Sequence, residues 1–343
     1  MALRFPVFFS VLLASFFWGA AAQAQSSPVN EMRALAHSRL PSQMLLNQGL
    51  GLIYGPARQA LESQGAEGLR AFGGMSGGRQ ELSRAGRTEI DGFSFLAGLG
   101  RRVDIDDSPL AAFTYGFFGE GGTGNFETGR AFSDDDFRGE GRARYVGGGF
   151  LVQTEFHNRF YMEGAFRVGQ VRTSLETLYS NNGPVVDPPD SSGTYFSAAG
   201  GAGWKMAACD SVELEFYSRL MWSHQGNGEK RVIEINSIDE LVEVADVNST
   251  RFTLGTRADF QAGEGRILYA GAAWEHEFNG RAELKINDRP LSGSFAELGG
   301  DSLVGEVGLK LSGEDGFSAS FGLEGAWGRR QALGGVLRLG YEF

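Results

Sequence analysis

Four histidines are the first residues to weigh for chemistry, because imidazole titrates near neutral pH without help from its surroundings. His37 lies in a stretch with helical spacing and His157 in a tight turn. His224 opens a long connection after Trp222-Ser223, and His276 sits between Glu275 and Glu277. Acid–base work requires a carboxylate in hydrogen-bond reach. The sequence fixes none for His224, and alternation puts His276 on an apolar face with Ala272 and Trp274. No G-x-S-x-G elbow and no H-E-x-x-H zinc helix occurs. Two acidic clusters, Asp104-Asp106-Asp107 and Asp134-Asp135-Asp136, lack the glycine and closing glutamate of a calcium loop and read as solvated turns. Gly147-Gly148-Gly149 is followed by no Lys-Ser or Lys-Thr, so it cradles no phosphate. The lone Cys209 excludes an internal disulfide and a cysteine metal site. No residue is assigned a catalytic, metal or cofactor role, and the chain is read as a non-enzyme without a cofactor.

A second set of ionisable residues carries a more regular signal. Glu163, Arg167, Glu213, Arg219, Arg257, Glu275, Glu306, Glu324 and Arg338 each fall in a stretch where polar and apolar residues alternate. Near position 250, Phe252, Leu254, Ala258 and Phe260 oppose Arg251, Thr253, Arg257 and Asp259. Near 316, Phe317, Phe321, Leu323 and Trp327 oppose Ser318, Ser320 and Glu324. Period-two alternation is the mark of a half-buried strand. It predicts twelve strands, near 67–77, 88–101, 109–119, 138–155, 159–173, 193–205, 211–223, 250–261, 267–279, 301–312, 316–328 and 334–343.

The charged face then meets either bulk water, as in a soluble sandwich, or the wet lumen of a membrane barrel. Two features favour the barrel. The apolar face is rich in Phe, Tyr and Trp near strand ends, as interfacial girdles require. Connections alternate between short ones, near 102–108, 156–158, 206–210, 262–266 and 313–315, and longer ones near 120–137, 174–192, 224–249 and 280–300. Short turns on one side and long loops on the other are characteristic of outer-membrane barrels. The last strand completes the expectation: Leu337, Leu339, Tyr341 and Phe343 on one face, Arg338 and Glu342 on the other. It is expected to pair with the first strand, near Leu69–Met75.

Composition is consistent with this reading. Glycine makes up 52 of 343 residues and phenylalanine 27, and the net charge of −11 argues against a nucleic-acid partner. Residues 1–24 read as a signal peptide: Arg4, an apolar run from Phe5 to Trp18, and small residues at Ala22 and Ala24. Residues 25–64 differ from the rest and form a short helical linker or plug segment. Val29–Leu40 has helical spacing, Pro41 is expected to break or kink it, and Gln43–Leu52 forms a second short helix. Residues 65–343 are the barrel. A lumen of twelve strands is intermediate in size and has room for one helix of about 10–12 Å diameter.

Several pieces resemble a known family when taken in order. They are Asp91–Leu99 (DGFSFLAGL), Tyr145–Phe150 (YVGGGF), Phe160–Val168 (FYMEGAFRV), Tyr269–Phe278 (YAGAAWEHEF) followed by Asn279-Gly280, and Gly325–Phe343. At this spacing they resemble the C-terminal translocator domain of autotransporters, the type V secretion proteins of Gram-negative bacteria. The resemblance covers about four fifths of the chain. It implies an all-β fold, a twelve-stranded antiparallel transmembrane barrel with an N-terminal helix in the pore, located in the outer membrane. It also implies partners: periplasmic chaperones, the barrel assembly machinery reading Leu337, Leu339, Tyr341 and Phe343, and outer-membrane lipid and lipopolysaccharide. Only about forty residues separate Gln25 from the first strand. The expectation is therefore a stand-alone translocator, or one with a vestigial passenger, supporting transport or display at the cell surface. A porin-like channel is the alternative, and a barrel-embedded hydrolase a third reading. Some members of the family cut their linker through an asparagine in the pore with acidic barrel residues. Asn47, with Glu163, Glu213 or Glu324, is the candidate here.

Overall fold

The structure is a computed structural model that describes residues 28–54, 68–83, 87–105, 108–130, 137–180, 183–184, 190–226, 230–235, 238–290, 296–313 and 315–343. The signal peptide, residues 55–64 of the plug segment, Asp106, Asp107 and Asp134-Asp135-Asp136 lie outside the described residues.

Twelve long strands form the wall. They are β1 (Leu69–Leu82), β2 (Arg87–Asp104), β3 (Leu110–Arg130), β4 (Phe137–Phe156), β5 (Phe160–Ser180) and β6 (Asp190–Cys209), followed by β7 (Val212–Gln225), β8 (Val247–Gly263), β9 (Arg266–Glu277), β10 (Gly300–Ser312), β11 (Phe317–Gly328) and β12 (Arg330–Glu342). Each pairs antiparallel with the next. β12 returns to β1 in unbroken register from Arg70–Glu342 to Leu82–Arg330. The sheet therefore closes on itself and leaves no barrel edge unpaired, as a spanning sheet must.

Alternation sorts the side chains as the sequence implies. Phe117, Val146, Leu303, Leu323, Trp327 and Leu333 project outward, each more than 60% exposed. Arg167, Arg257, Glu275 and Arg338 point inward and are buried. Tyrosine departs from the expected aromatic girdle. Tyr145, Tyr161, Tyr195, Tyr217 and Tyr269 all share the inward parity, while Tyr115, Tyr341, the strand tryptophans and most of the strand phenylalanines face out, Phe72, Phe118 and Phe126 being inward exceptions. The phenol accounts for this: the hydroxyls of Tyr161, Tyr195 and Tyr269 bond Glu215, Glu120 and Arg338, and the ring faces of Tyr145 and Tyr217 accept the guanidinium groups of Arg167 and Arg219.

The short turns are at residues 157–159, 210–211 and 264–265, the β2-to-β3 and β10-to-β11 connections lie at the same end, and the long loops lie at the other. The region near 120–137 is a correction. It is mostly strand rather than loop, since β3 runs to Arg130 and β4 begins at Phe137. β3 to β5 are 20 or 21 residues long, against 12 or 13 for β9 to β12. About ten residues suffice to cross the apolar layer, so this side of the wall rises beyond it. Within the long loops, Lys230–Ile235, Ile238–Val244, Leu284–Ile286 and Arg289–Pro290 form a small sheet joining two loops.

One helix, α1 (Pro28–Leu52), enters the barrel. Pro41 neither ends nor splits it, contrary to the sequence expectation. An interior proline costs an isolated helix about 3 kcal/mol. Here every residue from Ala36 to Leu46 is buried against the wall, and those contacts outweigh the lost hydrogen bond.

Candidate functional site: the occupied pore

The helix shows two stripes at i, i+3 and i+4 spacing. Leu40, Met44 and Leu45 pack with Leu82, Ile90, Phe126, Ala143, Val171 and Leu175, which point inward from β1 to β5. Arg39, Ser42, Gln43 and Asn47 face β7 and β8. Ser42 donates to Gln225 Oε1 (3.1 Å), Gln43 to Ser223 Oγ (2.5 Å) and Asn47 to Ser249 Oγ (3.2 Å). The Arg39 guanidinium donates to the carbonyls of Gln225, Gly226 and Ala245 at 2.9–3.0 Å, binding both ends of the loop between β7 and β8. A helix buried on all sides must match both faces of its container, and this one is keyed in rotation by apolar and polar walls.

A buried ion pair fixes its depth. Arg167 is fully buried and donates to Glu120 Oε2 at 2.9 Å. The same guanidinium donates to the Leu46 carbonyl of the helix and stacks on Tyr145 and Tyr195, 5.9 and 5.3 Å from the ring centroids. Tyr195 Oη donates to the other Glu120 oxygen at 2.6 Å. Gly49 lies at this level because a Cβ there would run into the Tyr145 hydroxyl and Arg167 Nη1.

The remaining lumen charges pair among themselves. Arg219 bonds Glu163 at 2.7 Å and lies over Tyr54 at the end of the helix. Arg257 meets Asp259 (2.9 Å) and Glu306 (3.6 Å) above the Tyr269 ring. Arg338 Nη1 donates to the Tyr269 hydroxyl at 2.9 Å. Glu275 accepts from Arg251 (3.1 Å) and Arg330 (3.2 Å). Glu306 and Glu324 occupy facing positions on β10 and β11 and line a cavity of about 190 Å³ beside the helix, together with Arg219, Arg251 and Arg330. Glu213 keeps the inward parity but stands at the short-turn mouth, half exposed and paired with Arg159 at 3.1 Å.

Sequence reasoning missed Glu120, Arg39 and Arg330. Glu120 was assigned to a loop and Arg330 to a turn, and nothing marked Arg39 among ordinary helix residues. The one available signal was parity: extending β3 past Gly119 in phase puts Glu120 inside.

The other candidates are placed as follows. His37 is buried on the helix and His157 is exposed in its turn. Two carboxylates invisible to sequence reasoning approach the remaining histidines: Asp246 lies 3.6 Å from His224 Nε2, and Asp301 lies 2.8 Å from His276 Nδ1. Both histidines stack beside a tryptophan on the outward face, as interfacial residues do. Among the described residues neither is hydrogen-bonded to a serine or cysteine, and no group of three metal-ligating side chains forms a site. Asn47 shares the cavity wall with Glu324, but its polar partners are Gln43, Ser223 and Ser249, and Ser249 leads on to Glu277 (2.9 Å). The pairing of Asn47 with Glu163, Glu213 or Glu324 is thus replaced by a route to Glu277. Asp104 is tied to Arg102 at 2.9 Å, a solvated pair.

A family model described as the autotransporter beta-domain matches residues 69–324. Similar solved structures include the beta domain of the Bordetella autotransporter BrkA, with TM-score 0.64 and 15% identity over 81% of this chain and all of that one. The translocator domain of NalP from Neisseria meningitidis has TM-score 0.59 and 13% identity, covering 90% of this chain and 97% of that one. The transport unit of AIDA-I from Escherichia coli has TM-score 0.53 and 17% identity, covering 82% and 92%. No curated protein matches the sequence.

Proposed function

The chain belongs to the autotransporter beta-domain family and is an outer-membrane β-barrel of the translocator type; from that premise we propose that its pore is held closed by α1 and that the barrel presents whatever precedes Pro28 at the cell surface. The polarity of the helix carries this reading. Arg39 lies at the long-loop end of β7, whereas Tyr54 lies deeper, beside Arg219. Short turns belong on the periplasmic side of such barrels and long loops outside. The N-terminal end of α1 therefore emerges outward, after export directed by residues 1–24 of a Gram-negative precursor. An epitope inserted between Ser27 and Pro28 should be stained on intact cells. One inserted between Asp210 and Ser211 should need permeabilised cells. The reverse pattern would overturn the reading.

Assembly is proposed to depend on the strand ending in Phe343, presented by periplasmic chaperones to the barrel assembly machinery. Its backbone N–H donates to the Leu69 carbonyl at 3.1 Å, and its ring meets Tyr341 edge-on at 5.1 Å, while 71% of the residue stays exposed. Leu339 and Tyr341 share that outward face. Deleting Phe343 removes one wall contact yet should sharply lower the amount of heat-modifiable barrel in the membrane fraction. Undiminished levels would show that the terminal aromatic is not read.

A further inference from the structure

The outward face of β3 to β6 changes character across the mixed row Gly121, Val146, Gln170 and Thr194. Phe117, Phe150 and Phe166 form one outward row in direct register, and Val146, Val168 and Phe196 stand nearer the long-loop end. Directly beyond the row of Val146, Gln170 and Thr194 stand Thr123, Arg144, Arg172 and Ser192, again opposite one another. Arg142 follows one row farther out, beside Asn125. Three guanidinium groups thus gather on the adjacent strands β4 and β5 where the apolar band stops.

The cluster is poorly compensated. Arg144 and Arg172 are facing cross-strand neighbours, and like charges so placed repel. Arg172 bonds Asp190 at 2.7 Å, and Arg142 reaches Glu176 only at 3.7 Å. Arg144 has no hydrogen-bond or ion-pair partner among the described residues, although the lumen arginines each have an acceptor. Every member of the row carries a hydrogen-bond donor, and guanidinium groups bind phosphate through paired N–H donors.

We propose that Arg144 and Arg172, flanked by Thr123 and Ser192, form a binding site for a phosphate group borne on a lipid of the outer leaflet. The depth of the row identifies the source: a phosphate at this level has its acyl chains against Val146, Val168 and Phe196. Bridging both guanidinium groups, the phosphate removes their mutual repulsion. The assignment to the outer leaflet rests on the orientation proposed above, whereas the existence of the site does not.

The test uses the full chain in detergent, titrated with lipid A and read by native mass spectrometry. One lipid A should be retained per barrel. Arg144→Gln with Arg172→Gln should weaken retention at least tenfold, Asp190→Asn should strengthen it, and Arg138→Gln, near the loop tip, should leave it unchanged. Heat-modifiability of each variant reports that the barrel is folded. Retention undiminished in the double variant overturns the site. Displacement of lipid A by millimolar inorganic phosphate overturns its assignment to a lipid. The assay is blind to orientation, so its failure leaves the epitope result standing, and a reversed epitope pattern would move the site to the other leaflet without abolishing it.

Discussion

Replacing Glu120 with alanine should destabilise the barrel more than any single change on its outer surface, by about 3–5 kcal/mol. Arg167 is completely buried and Glu120 nearly so. Removing the carboxylate leaves a guanidinium in a dry site with one helix carbonyl and two aromatic faces. It also strips the Tyr195 hydroxyl of its acceptor. Glu127→Ala provides the contrast, because its pair with Arg138 is about 60% exposed on both sides and such pairs contribute about 0–1 kcal/mol. The measurement is the temperature at which each variant loses its compact band on electrophoresis. Glu120→Ala should fall well below Glu127→Ala. Joint replacement Glu120→Leu and Arg167→Met should recover much of the loss, since no charge is then stranded. Equal melting of the two single variants would mean that water reaches Arg167.

The same region explains why part of the wall was hard to read. In the membrane the barrel alternates apolar outside and polar inside, and β7, β8, β11 and β12 follow that rule closely enough to be found by inspection. Beyond the apolar layer, β2 to β5 invert it. Ile90, Phe126, Val171 and Leu175 point inward onto the helix, while Asp91, Asn125, Glu127, Arg144 and Arg172 point outward. A strand whose hydropathy changes phase partway along looks like a strand followed by a loop, so β3 was cut short at Gly119 and Glu120 was lost with the remainder. Closure between β1 and β12 was legible because Leu337, Leu339, Tyr341 and Phe343 keep one phase to the end of β12 and a spanning sheet must leave no edge. The Glu120–Arg167 pair was not, since the two lie 47 positions apart on β3 and β5 and meet over the glycines of the intervening β4. The helix was misread at Pro41 for a related reason: local propensity describes a helix in water, and this one is enclosed.

Removing residues 26–63 should raise single-channel conductance in planar bilayers severalfold while leaving the barrel closed. The wall needs no contribution from the helix to complete its hydrogen bonding, because all twelve strands pair with their neighbours. The helix itself fills the lumen. From Ala36 to Leu46 no residue is more than slightly exposed, and a cavity of about 190 Å³ remains beside its C-terminal part. Withdrawing a body about 10–12 Å across opens a channel lined by Arg167, Arg219, Arg251 and Arg257 with their acids, a wet surface that conducts ions. The cost falls on the apolar inward patch at the long-loop end, where Phe126, Val171 and Leu175 lose Leu40, Met44 and Leu45. Burying each such side chain contributes about 1.5–3 kcal/mol, so the shortened protein should also melt earlier. Gly49→Leu separates the two effects. It keeps the helix but forces it away from Tyr145 and Arg167, and it should give intermediate, flickering conductance. If the full chain and the shortened one conduct equally, α1 does not occupy the pore in a bilayer, and the barrel is an open channel rather than a closed translocator.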